Sequence, residues 1–141
     1  MGRALRLGAF AMLPMLLLSC LFSGGDTWAV DSGASNFIVG KSQGQVRDEK
    51  PLELPFEIEA VGHNVVVKSS TNIRPPGLPE IEECMVVPKS PNCVSLGRLV
   101  HLRGCSFWWS DRDGAQIWMP DGTVLQCDIE DFVPMLPPSS R

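Results

Sequence analysis

Leu52-Glu53-Leu54-Pro55-Phe56-Glu57-Ile58-Glu59-Ala60 alternates residue by residue, with Leu52, Leu54, Phe56 and Ile58 on one face and Glu53, Pro55, Glu57 and Glu59 on the other. A period of two marks a strand with one buried face. Pro55 has no amide hydrogen to give to a ladder, so the strand belongs at a sheet edge. Gly62-His63-Asn64 then supplies turn chemistry and Val65-Val66-Val67 is β-branched, which predicts a hairpin.

The same logic extends to the C-terminal half. Strand signals recur at Arg98–Leu102, Ser106–Trp109, Gln116–Met119 and Thr123–Asp128, and the hairpin dipeptides Asp113-Gly114 and Asp121-Gly122 fall in the gaps. Between these halves, Pro75-Pro76-Gly77 with Pro79, and later Pro88 with Pro91, forbid regular helix. With 13 Gly and 12 Pro in 141 residues a helical bundle is excluded, and 44% apolar residues exclude a wholly disordered chain. The expected fold is mainly β, a small disulfide-stapled antiparallel barrel or sandwich, with no substantial helix beyond an N-terminal signal segment.

That segment spans residues 1–29. Arg3 and Arg6 precede an apolar run from Leu7 to Phe22, which Pro14 interrupts and which falls short of the roughly 20 residues of a bilayer span. Small residues at Ser23 and Gly25, or at Thr27 and Ala29, allow cleavage before Asp26 or Val30. Leu17-Leu18-Ser19-Cys20 offers the alternative of a lipobox, with cleavage after Ser19 and lipid on Cys20. Residues 30–50 are rich in Ser, Gly, Gln and Asp and read as a flexible linker with one short strand at Phe37-Ile38-Val39. Residues 51–133 form the β-domain and 134–141 a disordered tail. The protein is therefore expected to be secreted or periplasmic, and a membrane-anchored lipoprotein if Cys20 is lipidated.

Five cysteines cannot all pair. With Cys20 in the targeting segment, an oxidising compartment would leave Cys84, Cys93, Cys105 and Cys127 to form two disulfides, whose connectivity stays open among three possibilities. Each staple would be worth about 2–4 kcal/mol. No C-x-x-C pair and no histidine at ligand spacing points to metal. Asp111, Asp113 and Asp121 lack the ligand pattern of a calcium loop, and Glu80, Glu82 and Glu83 read as a solvated face. A net charge of −4 does not favour nucleic acid or anionic lipid. The two histidines, His63 and His101, stand near no activated nucleophile in the sequence, so no catalytic residue and no cofactor is expected.

Aromatic side chains are the candidates for recognition. Trp108 and Trp109 are adjacent on a strand and must face opposite ways, so Phe107 and Trp109 are expected in the core and Trp108 outside. Trp108 and Trp118, with Arg74, Pro76 and Pro79 of the proline-rich loop, are the candidate binding residues.

Thr71-Asn72-Ile73-Arg74-Pro75-Pro76-Gly77, then Gly97-Arg98-Leu99-Val100-His101-Leu102-Arg103-Gly104, then Phe107-Trp108-Trp109 and Asp113-Gly114-Ala115-Gln116-Ile117-Trp118-Met119 resemble in order the elements of a bacterial SH3 domain, over about residues 64–120. Ile117 stands where that family usually has Gly before its closing Trp, and the segment between Arg74 and Gly97 is longer than usual. The resemblance implies a small β-barrel in an exported, non-enzymatic module that recognises a cell-wall glycan, peptide or protein. Two other functions fit the sequence. One is a lipid-anchored structural subunit of an envelope or secretion assembly, pairing through the Leu52–Ala60 edge. The other is a secreted inhibitor or effector that uses the Pro88–Asn92 loop as a wedge.

Overall fold

The computed structural model describes residues 27–40, 46, 48–60 and 63–138. The leader to residue 26, Cys20 included, and the last three residues of the tail lie outside the described residues.

Among the described residues, ten strands and one helix follow in chain order: β1 Trp28–Asp31, β2 Ile38–Val39, β3 Lys50–Ala60, β4 His63–Ile73, β5 Ile81–Val86, β6 Asn92–Ser95, α1 Leu96–Arg103, β7 Ser106–Ser110, β8 Gly114–Trp118, β9 Val124–Glu130 and β10 Val133–Met135. The protein is mainly β, in one open sheet of order β3-β4-β5-β2-β6-β1-β10-β9-β8-β7. β3 is an edge, and Pro55 falls in the stretch between Pro51 and Phe56 where its pairing with β4 shifts register.

β1 lies deep in this order and is buried along its whole length. Such a strand needs side chains suited to both faces, and Trp28-Ala29-Val30 supplies them. Trp28 and Val30 enter one core cluster with Phe37, Val94 and Leu99. Ala29 enters a second with Ile38, Ile58, Val67 and Met135. β1 runs parallel to β6, with Trp28 opposite Asn92 and Asp31 opposite Ser95, and antiparallel to β10 at Ala29 and Met135. Two strand ends, Asp31 and Ser95, are thereby brought side by side.

Four sequence expectations are corrected. Arg98–Leu102 is helix rather than strand. Ser95 caps α1 by accepting the Arg98 amide, and Gly104, at φ 71°, ends it in the left-handed region. The stretch expected to be a flexible linker from residue 30 holds the end of β1 and all of β2, both buried in the sheet. The tail is ordered at its start, since Met135 and Leu136 are core residues and the Leu136 amide donates to the Trp28 carbonyl at 2.8 Å.

The fourth correction concerns the staples. Cys84, Cys93, Cys105 and Cys127 are buried and form no disulfide with one another. They sit on β5, on β6, after α1 and on β9, where each fills apolar space as a small side chain. Burial pushes the Cys84 thiol up to about 12 and Cys127, beside Asp128, to about 11, so both stay protonated and unreactive. The Cys105 thiol donates to the Met119 thioether at 3.8 Å. Unbridged thiols carry no implication of an oxidising compartment.

Candidate functional site: the Asp31 pocket

The apolar strand β1 ends on an acid. Asp31 is only 5% exposed, and it opens the turn Asp31-Ser32-Gly33-Ala34. Its Oδ1 accepts the Gly33 amide at 2.8 Å and is also supported by the Ala34 amide. Its Oδ2 is buried without any hydrogen-bond partner. Loss of hydration is the largest influence on this group and raises its pKa above the ordinary carboxyl value, while the two amides pull it partly back. Among the described residues no cation opposes the rise.

The surrounding turn is held rigidly. The Ser95 hydroxyl donates to the Ala34 carbonyl at 2.6 Å while accepting the Arg98 amide, so one side chain caps α1 and fastens the turn. Arg98 donates from Nε to the Ser35 carbonyl and from Nη2 to Asn36 Oδ1 at 2.8 Å. Asp31 therefore sits on strand and helix scaffolding rather than on a loose loop, as a precise site requires.

Asp31 lines a cavity of about 130 Å³ whose other walls include Val30, Leu96, Phe107, Trp109 and Val133. Phe107 and Trp109 meet edge to face, centroids 6.4 Å apart. Trp109 was expected in the core, but it is half exposed, because β7 is the last strand of the sheet and the pocket mouth lies beneath it. Phe132, 88% exposed, joins the lining from the tight β9–β10 turn, where Asp131 and Phe132 both take positive φ, at 48° and 65°. A bulky residue in that region is strained.

The candidate binding residues divide. Trp108 and Trp118 are exposed and line a second pocket of about 360 Å³ with Gln116 between them. The Trp118 indole donates to Gln116 Oε1 at 3.2 Å, and Gln116 Nε2 donates to Gln126 at 3.0 Å. Pro79 lines a different pocket, with Arg103, Cys105 and Met119. Arg74 is exposed and Pro76 buried, and neither lines the tryptophan pocket. The structure thus brings the two tryptophans together and leaves the proline-rich loop apart from them.

Sequence reasoning passed over Asp31. The available signal was an acid closing a run with no polar residue, Trp28-Ala29-Val30, and followed at once by Ser-Gly turn chemistry. Among the described residues no group of three or more His, Cys, Asp or Glu could hold a metal ion, and no helix is long and apolar enough to cross a membrane. Comparison with family models, with curated proteins and with solved structures finds no match.

Proposed function

We propose that the chain is one half of a two-carboxylate hydrolase acting on polypeptides, with Asp31 from each of two copies supplying one carboxyl group. The observation that carries this reading is the Asp31 carboxyl: buried, raised in pKa, one oxygen fixed by backbone amides and the other left free beside an apolar pocket. Amide hydrolysis needs a base to take a proton from water and an acid to polarise the carbonyl and protonate the leaving nitrogen. Two carboxyls sharing one proton do both, since the ionised member accepts the proton of the attacking water and the protonated member donates to the substrate oxygen.

One copy falls short of that requirement. Asp31 is the single acid among the buried polar residues described, so the second carboxyl comes from a second copy across a two-fold axis. Exposed Phe132 and Trp109 at the pocket give the neighbouring copy apolar surface to cover. The walls formed by Val30, Leu96, Phe107 and Trp109 suit an apolar side chain of the substrate. This reading departs from the sequence-based expectation of a chain without catalytic chemistry.

The test is cleavage of a mixed fluorogenic peptide library by the full chain between pH 3 and pH 7. It is run with sedimentation to find concentrations at which a dimer forms. Wild-type protein cuts on the acid side of neutrality and Asp31→Asn does not, while both remain dimeric. Cleavage that persists in Asp31→Asn, or none by wild-type dimer, overturns the reading.

A second reading rests on the tryptophan pair. Trp108 and Trp118 flank a glutamine whose amide is already oriented, which suits capture of a glycan ring or a peptide in an exported module. The bacterial SH3 resemblance would then be its precedent, and cleavage after Ser19 or Gly25 would spare β1, whereas cleavage after Ala29 would cut through it. Trp108→Ala then abolishes capture of glycan or peptide beads without lowering the melting temperature, and a variant that still binds refutes it.

A further inference from the structure

A separate cavity of about 350 Å³ lies between the turn that follows β1, strand β5 and helix α1, lined by Asn36, Phe37, Glu82, Glu83, Arg98 and Arg103 among others. Two cations, Arg98 and Arg103, line it together with the exposed acids Glu82 and Glu83. Arg98 gives its hydrogen bonds to the Ser35 carbonyl and Asn36 Oδ1, and Arg103 donates to the Glu80 carbonyl at 3.1 Å. These acceptors are all neutral, and among the described residues neither guanidinium has an ion pair. Asn36 is 6% exposed, and its Nδ2 is buried with no acceptor at all. A buried donor left unpaired is costly, so native proteins rarely keep one without use.

From this we infer that the cavity is a binding site for a carboxylate-bearing ligand, its oxygens held by the Arg98 and Arg103 guanidinium groups beside the buried Asn36 side chain. Guanidinium forks match the planar, two-oxygen geometry of a carboxylate. Exposed Glu82 and Glu83 line the same cavity and penalise a second negative charge, which selects a monoanion over a dianion such as phosphate. The site also communicates. Arg98 fastens the Ser35 carbonyl in the turn that carries Asp31, so an occupied cavity stiffens that turn whatever chemistry Asp31 performs.

The experiment follows the Asn36 side-chain amide and the Arg98 Nε–H by NMR in the full chain at pH 7.5. Sodium acetate, sodium phosphate and sodium chloride are added at matched ionic strength. Acetate produces a saturable shift at both groups and chloride does not. Arg103→Gln weakens the acetate midpoint about tenfold, because one charge-assisted contact is lost. Arg103 is the variant of choice, since its recorded bond is an exposed one to a backbone carbonyl and its loss leaves the core intact. Exchange of the Gly33 amide slows at saturating acetate. A shift that does not saturate, an equal response to chloride, tighter binding of phosphate than acetate, an unaltered midpoint in Arg103→Gln or unchanged Gly33 exchange overturns the inference.

Discussion

Asp31→Asn should make the protein more stable at neutral pH, and the gain should vanish in acid. Burial lifts the Asp31 pKa above its ordinary value of 3.8. The folded chain therefore keeps its proton at pH values where the unfolded chain has lost it. Stability is greatest below pH 3.8, falls as pH rises through the folded pKa, and stays at the lower level at pH 7. Asparagine has the same shape and is neutral throughout. Its oxygen still accepts the Gly33 amide, and its nitrogen, like the hydroxyl of the protonated acid, is a donor without an acceptor there. The comparison thus isolates the ionisation, at about 1.4 kcal/mol for each unit by which burial has raised the pKa. A buried carboxylate oxygen without a donor falls in the range of about 1–3 kcal/mol. The variant should gain that amount at pH 7, roughly 4–8 °C in melting temperature per kcal/mol for a domain of this size. Thermal unfolding of both proteins at one fixed concentration, at pH 7, 5 and 3, reads the difference directly. If Asp31→Asn is less stable at pH 7, or if the gap is the same at pH 3, the carboxylate is a structural ion and the reasoning fails.

Three further outcomes follow from other parts of the fold. Ser95→Ala removes the α1 cap and the hydrogen bond to Ala34 together, and should cost about 2 kcal/mol in denaturant unfolding, more than a cap alone. A loss below about 0.5 kcal/mol would show that the turn is held by Arg98 alone. Cys84, Cys93, Cys105 and Cys127 should resist a thiol reagent in the native protein and react together on unfolding, with the intact mass unchanged by reduction. A shift of two or four mass units would restore the bridges. Gly77→Ala should destabilise by roughly 1–2 kcal/mol, because φ is 76° and the added methyl would meet Leu125 Cδ1 at 2.6 Å. An unchanged melting curve would show that the loop shifts freely.

How far the fold was legible depended on whether the pattern was repetitive. The Leu52–Ala60 alternation and the Asp113-Gly114 and Asp121-Gly122 turns are regular signals, and they became β3 at the sheet edge and the hairpins among β7, β8 and β9. Gly114 and Gly122 have φ of 69° and 90°, as their turns demand. The apolar run Leu99-Val100 looked like strand because too few residues were available to distinguish periods of two and 3.6. Its caps, Ser95 and Gly104, were the better evidence. Residues 31–36 misled for a different reason. Composition equates Ser, Gly, Asn and Asp with solvent, whereas here Asp31 and Ser95 turn their polarity inward onto the backbone of one turn and Asn36 accepts from the Arg98 side chain. The cysteines misled because an even count is evidence of pairing only where the compartment is known.

The two readings of function differ in what they ask of the fold. The platform of Trp108, Gln116 and Trp118 is conformationally comfortable: its amide and indole are paired and its strand geometry is ordinary. Around Asp31 the rules that govern the remaining core are broken repeatedly. An acid is buried with an idle oxygen, and Asn36 a few residues on has an idle amide. The pocket is lined from a turn in which Asp131 and a bulky, exposed Phe132 both occupy the left-handed region. Each feature opposes stability, and a leucine, a serine and a glycine at positions 31, 36 and 132 would remove them. Asp48, Glu83 and Lys89 also take positive φ elsewhere, but at this one pocket an idle buried carboxylate oxygen meets the strained Asp131-Phe132 turn. Such a combination is expected where selection holds residues for chemistry against the preference of the fold, and it is what sets the Asp31 pocket ahead of the tryptophan surface.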